Sequence, residues 1–453
     1  MDRKKEIFEN MPVPKALASL AIPSIISQVI TLVYNLADTW FIGQTNDPMK
    51  VAAVSLTFML YFSTNALANM FGVGGGSLIS RLLGRGESNE ARRVSAFSFY
   101  GTILVSGTYS VFVYLFMEPL LYLLGASENT LQYATSYTFW VVVVGAVPAT
   151  LSATMAHLLR SEGYAKQASF GLSLGAVMNI VLDPIFMFVI MPEGREVTGA
   201  AMATMLSSVI SLAFFAVMFY RLRTQTVLSV SPASLNGSAK HAREVISVGF
   251  PSSLSSILSS VATSVLFSLT AGYGDVSLAA MGIVRKIDML PMNIGMGLCQ
   301  GMMPLVAYNY AACNYKRMRE SANCARICGM GFAAVCIAVY ETFTEGLVGL
   351  FIQDAETIEM GVFFLRICCL AVPLMICSFQ MTYTFQAMGK GKESLFLAAC
   401  RQGVINIPML FIMNRMFGMA GLAWNQLISD GITLVIAFIM YSRINKSLKT
   451  ADA

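Results

Sequence analysis

The chain has 453 residues, of which 56% are hydrophobic and only 12% are charged, with a mean hydropathy of +0.65 and a formal net charge of +5. About a quarter of the residues in soluble domains are charged, so this composition excludes an ordinary soluble protein and indicates a polytopic membrane protein. The positive charge does not call for a nucleic-acid partner, because the basic residues follow the predicted membrane topology.

Twelve apolar stretches are long enough to cross a bilayer, since about 20 helical residues span the roughly 30 Å hydrocarbon core. They lie near residues 16–41, 51–80, 94–117, 131–156, 168–190, 199–220, 246–271, 277–308, 321–345, 358–386, 394–414 and 419–441. Barrel strands would be half as long and would alternate in polarity. The chain is therefore predicted to be an all-α membrane protein with twelve transmembrane helices.

Basic residues concentrate on one side of these helices when the loops are numbered alternately. Of the 30 lysines and arginines, 24 lie on the side of the two termini, and only Lys50, Arg195 and Arg415 lie on the other. The positive-inside rule then places both termini in the cytoplasm of a multi-pass cell-membrane protein. The two histidines, His157 and His241, fall in or near basic cytoplasmic loops and are expected to be solvated.

Prolines and glycines recur at a spacing of 224 to 228 positions. The matched pairs are Pro23 and Pro251, Pro148 and Pro373, Pro184 and Pro408, Gly72 and Gly297, and Gly76 and Gly301. This repetition predicts a duplicated six-helix unit, with an N-terminal lobe at 1–220, a polar cytoplasmic linker at 221–245 and a C-terminal lobe at 246–453. Because six is even, the two bundles are parallel and pseudo-symmetric, with a central cavity between them.

Proline inside a helix removes a backbone hydrogen bond, so Pro23, Pro184, Pro251 and Pro408 are predicted hinges. The run from Gly72 to Gly76 resembles a phosphate-binding loop only superficially. It lacks the Lys-Ser/Thr ending and lies within a spanning stretch, which favours close helix packing.

Two acids interrupt the apolar stretches of the N-terminal lobe. Asp38 lies in the first, and Asp183 lies in the fifth, four residues after Asn179 and just before Pro184. Charged groups in a membrane are costly and by default mark an ion pathway. Asn179 and Asp183 share one helix face. The alternative is that Asp38 satisfies local backbone groups and that Asp183 is a buried polar tie.

The C-terminal lobe has no acid at the equivalent positions, where Leu266 and Ile407 stand instead. Coupling to H⁺ or Na⁺ is therefore predicted only within 1–220, at Asp38, Asn179 and Asp183. Arg285 and Asp288, in the eighth stretch, either pair with each other or line the cavity. The polar Tyr34-Asn35 turn is also expected at the substrate cavity, which 30 methionines and 29 phenylalanines would make compliant.

Several motifs resemble the multidrug and toxic compound extrusion (MATE) transporters, especially their DinF-like branch. They are YNLADTWFIG, LLRSEGYAKQASFGLSLGAVMNIVLDPIFMFVI, VTGAAMATMLSSVIS, QGMMPLVAYNYAACNYKRMRE and TFQAMGKGKESLFLAACRQGVINIP. The resemblance implies two six-helix lobes around a V-shaped cavity. It also implies an ion site of Asp38, Asn179 and Asp183, with Thr204 as a fourth member. The family's other arrangement has acids in the seventh and tenth helices, but 250–270 and 360–386 contain none.

The resemblance implies export of organic cations or amphipathic compounds in exchange for H⁺ or Na⁺, and together with the two acids it predicts an antiporter. It would act as a monomer among membrane lipids, without a cofactor. A flippase for a lipid-linked oligosaccharide is the alternative, although such proteins often have a strongly cationic cavity. An intramembrane enzyme would need a histidine pair or an aspartate-rich metal motif, and the sequence has neither.

Overall fold

The structure, a computed structural model, describes residues 5–45 and 47–452, and within these ranges its regular elements are all helices. We number the long helices α1 to α12. They are α1 (Val13–Gly43), α2 (Pro48–Gly84), α3 (Ser88–Leu115), α4 (Glu128–Val144 and Ala146–Ser161), α5 (Ala165–Ile190), α6 (Glu196–Leu222), α7 (Ala242–Ala271), α8 (Asp275–Ala311), α9 (Tyr315–Gly349), α10 (Ala355–Cys369 and Val372–Ala387), α11 (391–417) and α12 (419–452). They coincide with the predicted stretches, which confirms the all-α membrane fold.

The length and apolarity of these helices suit a bilayer. Among the described residues, eight helices are long and apolar enough to cross one, and the bent α4 and α10 qualify as single spans. One of the eight, Gly391–Lys446, has 56 residues and contains α11 and most of α12. It breaks at Gly418, whose φ of 59° is readily adopted only by glycine. The remaining long helix, α8, is not among these candidate spans. It carries the charged residues Arg285, Lys286 and Asp288.

Two helices bend at equivalent positions in the two halves. The halves of α4 meet at 45° and those of α10 at 44°. Pro148 and Pro373 follow these breaks directly, each in the sequence Ala-Val-Pro. Proline supplies no hydrogen to the preceding turn, which accounts for the bends.

The four predicted hinge prolines occupy two kinds of surroundings. Pro23 and Pro251 lie inside the continuous helices α1 and α7. Pro184 precedes a π-helical turn at Phe186–Ile190, and Pro408 follows another at Cys400–Val404. Such turns form where the regular hydrogen-bond ladder is interrupted. The hinge role of the four prolines stays a prediction.

The helices form two compact units. The N-unit comprises Ile26–Ser253, and the C-unit comprises Met1–Ile25 together with Leu254–Ala453. The first turns of α1 therefore belong to the C-unit and those of α7 to the N-unit, with both changes two residues after a proline, Pro23 or Pro251. The lobes predicted from the repeat are divisions of the sequence, and their boundary at 221–245 stays a prediction.

Glycines let the backbones of α2 and α7 touch inside the N-unit. A Cβ atom added at Gly74 would lie 2.2 Å from the carbonyl oxygen of Val245, and one added at Gly249 would lie 1.7 Å from that of Met70. Backbone atoms cannot yield to such contacts. The close-packing interpretation of the glycine run is confirmed.

We expect Gly249→Ala to lower the free energy of unfolding by about 1–3 kcal/mol, because the added methyl would overlap the Met70 carbonyl. Gly107→Ala is the matched control. Gly107 lies inside α3 with nothing within 4 Å of an added Cβ, so alanine there should be neutral or slightly stabilising. Thermal unfolding of both variants in detergent measures the difference, and equal midpoints would contradict the prediction.

The expectation that both histidines are solvated is wrong. His241 is buried, with its Nε2 atom 2.7 Å from Oε2 of Glu90. The imidazole of His157 packs over Gly72, where an added Cβ would lie 2.8 Å from Cδ2. Each imidazole therefore contacts a specific partner inside the N-unit.

Candidate functional site

A buried polar cluster lies where α5 and α6 pack together in the N-unit. Asn179 and Asp183 project from α5, and Thr204 projects from α6. Their exposed fractions are 1%, 0% and 4%, respectively. The helices approach closely because Gly199 has no side chain; an added Cβ there would lie 2.7 Å from the Phe186 carbonyl oxygen. The structure thus brings together three residues of the predicted ion site.

The Asn179 amide organises this cluster. Its Nδ2 atom donates to Oδ1 of Asp183 and to Oγ1 of Thr204, each at 3.2 Å. Both amide hydrogens are then in use. The oxygens left over, Oδ1 of Asn179 and Oδ2 of Asp183, are buried and accept no hydrogen bond. The cluster therefore has two acceptor oxygens that are buried from solvent and make no hydrogen bond.

Asp38 joins the cluster electrostatically from α1. Its side chain is half-buried, and its Oδ1 atom is buried without a hydrogen-bond partner. It lies close enough to Asp183 for the two carboxylates to repel each other. Oδ1 therefore satisfies no local backbone group, and the coupling role of Asp38 stays a prediction.

Three tyrosines surround the two acids. Tyr137 hydrogen-bonds to Thr204 and interacts electrostatically with both Asp38 and Asp183. Tyr34 hydrogen-bonds to Tyr61, and both interact with Asp38. Tyr34 is predicted from the sequence to lie at the substrate cavity, whereas Tyr61 and Tyr137 are not. Nothing near these two residues distinguishes them from the other tyrosines, of which the chain has 17 in all.

The oxygen-rich composition of the site suits a proton or a monovalent cation. Asp38 and Asp183 supply carboxylate oxygens, Asn179 supplies an amide oxygen and Thr204 a hydroxyl, which are the donors that hard cations prefer. A metal centre of another type has no candidate in the described part of the chain, where no three His, Cys, Asp or Glu side chains are grouped. A bound H⁺ or Na⁺ would satisfy the unused oxygens.

Arg285 and Asp288 lie in α8 of the C-unit, and Asn35 is an exposed residue of α1 in the N-unit. Arg285 Nε and Asp288 Oδ1 are both buried without a hydrogen-bond partner, although the two charges interact electrostatically. That Arg285 and Asp288 pair with each other stays a prediction. That Tyr34, Asn35, Arg285 and Asp288 line a substrate cavity stays a prediction.

Comparisons with known proteins place this geometry in context. The MatE family model matches residues 23–185 and 251–412, once in each half of the predicted repeat. The multidrug export protein MepA of Staphylococcus saprophyticus is 32% identical over 439 residues, covering 97% of this chain and 96% of that protein. MepA of Staphylococcus aureus is 32% identical over 440 residues, with the same coverage of both chains.

Solved structures agree with the fold over its full length. An outward-facing multidrug resistance MATE family transporter of the MOP superfamily superposes with a TM-score of 0.92 at 25% identity, over 99% of both chains. Crystal structures of MATE in the straight and bent conformations give TM-scores of 0.92 and 0.90 at 24% identity, again over 99% of both chains. These neighbours do not distinguish the DinF-like branch, which stays a prediction.

Proposed function

Since this chain belongs to the MatE family, we propose that it exports small cationic or amphipathic molecules across the cell membrane in exchange for H⁺ or Na⁺. Its apolar helices make it a multi-pass membrane protein, and we propose that both termini are cytoplasmic and that it works as a monomer. Export is supported by the MepA relatives, which are named for multidrug export and match 97% of the chain.

The observation that carries the coupling proposal is the set of unused oxygens around Asp183. A carboxylate that is fully buried, with one oxygen accepting no hydrogen bond, is expensive in a membrane unless it is neutralised. The repulsion from Asp38 adds to that cost. A proton or Na⁺ offsets both effects, which makes this cluster a site for a coupling ion.

Binding of an ion would neutralise the cluster and would also change the position of α1. Asp38 is on α1, whereas Asn179, Asp183 and Thr204 are on α5 and α6, so an ion shared among them draws α1 toward the cluster. Solved MATE structures are described in a straight and in a bent conformation. In our proposal, the change near Tyr34 and Asn35 removes part of the surface that binds substrate.

The membrane potential supplies energy for this exchange when the exchange moves net charge, as it does when one ion is exchanged for a neutral amphipathic molecule or two ions for one monovalent cation. One charge moving through 100 mV yields about 2.3 kcal/mol, which corresponds to a substrate gradient of roughly 50-fold. For a monovalent cation exchanged one for one, no net charge moves, and the concentration gradient of the coupling ion supplies the energy instead.

A lipid flippase remains the second candidate considered from the sequence, and the relatives do not favour it because they are named for export of drugs. The two functions differ in their response to a soluble cation. An exporter accumulates the cation against its concentration gradient when H⁺ or Na⁺ moves down its own gradient. A flippase instead moves lipid headgroups from one leaflet of the bilayer to the other.

The proposal is tested in inside-out vesicles with a permanently charged fluorescent cation, which does not accumulate as a weak base would. We expect uptake when the lumen is acidic or rich in Na⁺ and loss of uptake when an ionophore collapses that gradient. Running the two gradients separately identifies the coupling ion. Equal uptake with and without both gradients would overturn antiport.

A further inference from the structure

Each compact unit holds the beginning of a helix whose remainder belongs to the other unit. Residues 13–25 of α1 are part of the C-unit, and residues 242–253 of α7 are part of the N-unit. In both cases the segment just before the helix is docked by specific contacts. These docked segments lie on the predicted cytoplasmic side.

The segment before α1 is held by a set of contacts that we call the C-clasp. The buried Phe8 stacks on Tyr308, with ring centroids 4.8 Å apart and an interplanar angle of 12°. Arg317 donates from Nε to the carbonyl oxygen of Phe8 at 2.7 Å, and from Nη2 to those of Ile7 at 3.2 Å and Met11 at 2.6 Å. One guanidinium thereby fixes three backbone carbonyls of the terminal segment.

The segment before α7 is held by a different set, which we call the N-clasp. Oε2 of Glu90 lies 2.9 Å from Nζ of Lys240 and 2.7 Å from Nε2 of His241, the last two residues before α7. Arg93 donates to Oε1 of Glu90 at 3.0 Å. The predicted linker is therefore tied to the N-unit where it meets α7.

The two clasps occupy the same place in the two halves of the repeat. Glu90 is the third residue of α3, which begins at Ser88, and Arg317 is the third residue of α9, which begins at Tyr315. An acid grips basic side chains in one half, and a base grips carbonyl oxygens in the other. The equivalent segments before α1 and α7 are thus anchored by side chains of opposite charge. A shared local sequence therefore does not explain why both are anchored at the same position of the repeat.

The helix beginnings held by the clasps also pack without slack. A Cβ atom added at Gly301 of α8 would lie 2.4 Å from Cα of Ala21, and one added at Gly249 of α7 would lie 1.7 Å from the Met70 carbonyl oxygen of α2. Contacts this close are lost together when a helix moves. A clasp just before such a helix therefore controls whether these close helix contacts are kept.

We propose that the C-clasp and N-clasp are matched latches on the cytoplasmic side, with Arg317 and Glu90 as the positioning residues that keep residues 13–25 and 242–253 seated. Each latch must release when its helix beginning leaves its seat so that substrate can enter from the cytoplasm. This last step rests on the proposed export function, whereas the seating itself does not.

The test uses Ser24→Cys and Ser252→Cys as reporters, because these serines are 228 positions apart and each follows a proline, Pro23 or Pro251. Inside-out vesicles without substrate or ion gradient are treated with a membrane-impermeant maleimide. Mass spectrometry of the labelled peptides separates the reporters from the nine native cysteines.

We expect Arg317→Gln to raise the labelling rate at position 24 about tenfold, which corresponds to about 1.4 kcal/mol, because it removes charged hydrogen bonds. Position 252 should be unchanged. Glu90→Gln should do the reverse. Arg317→Lys should restore part of the protection. Phe8→Ala, which changes only the terminal segment, should reproduce the effect of Arg317→Gln even if that variant folds poorly.

A clasp variant that raises both reporters equally would show general loosening and overturn the proposal, as would unchanged labelling in all variants. The assay contains no driving ion and no substrate. Failure of antiport in the vesicle experiment therefore leaves the labelling result interpretable, and a failure of the clasps leaves antiport standing.

Discussion

Asp183→Asn is expected to abolish ion-driven export, reducing gradient-dependent uptake in inside-out vesicles to the level of empty vesicles. The amide cannot take up a proton at physiological pH, and it removes the charge that would hold Na⁺. The side chain keeps its shape, and its oxygen can still accept the hydrogen bond from Asn179 Nδ2 at 3.2 Å. The variant should therefore fold normally.

Substrate binding gives a second readout for the same variant. In the proposed cycle, loading the site expels substrate, so the wild-type protein should bind the cation more weakly as pH falls or Na⁺ rises. Asp183→Asn should bind with an affinity that no longer depends on either ion. This distinguishes a coupling role from general damage, which would weaken binding at every pH.

Asp275→Asn is the matched control, because Asp275 is an exposed acid at the start of α8, in the C-unit. It receives the same substitution outside the cluster and should keep export driven by the gradient. Full export by Asp183→Asn, or equal loss in both variants, would remove the carboxylate of Asp183 from the coupling mechanism.

The repeat and the spans were predictable because they depend on composition and periodicity. Prolines at matched spacing indicated the duplication, and the family model likewise matches the chain twice, at 23–185 and 251–412. Asn179 and Asp183 were predictable as partners because four residues make one helical turn. These are short-range or pattern-based properties that a single sequence contains.

Contacts that depend on helix packing were not predictable in the same way. Tyr137 reaches Thr204 from another helix, and no local pattern marks it. The change of unit within α1 and α7 is a property of the packed helices, and the sequence of either helix does not mark it. The bends of α4 and α10 lie beside Pro148 and Pro373, whereas the hinge prediction favoured four other prolines.

A charged contact of this unpredicted kind lies inside the C-unit. Arg401 Nε donates to Oδ1 of Asp430 at 2.9 Å, with side-chain exposures of 6% and 0%. Gln426 donates to the other carboxylate oxygen at 2.7 Å, and the guanidinium lies 4.2 Å from the centre of the Phe379 ring. Unlike Asp183, Asp430 is therefore compensated within the protein and needs no ion from solution.

This difference predicts that Asp430→Asn harms stability rather than coupling. Removing one partner leaves the buried Arg401 charge uncompensated, so we expect the free energy of unfolding to fall by about 3–5 kcal/mol. The double variant Arg401→Met with Asp430→Leu replaces the pair by apolar groups and should be markedly more stable than Asp430→Asn. Thermal unfolding in detergent measures both, and the Asp430→Asn protein that remains folded should still respond to ion gradients. A loss below about 1 kcal/mol, the range of an exposed pair, would show that the Arg401 charge is solvated and that the C-unit does not depend on this contact.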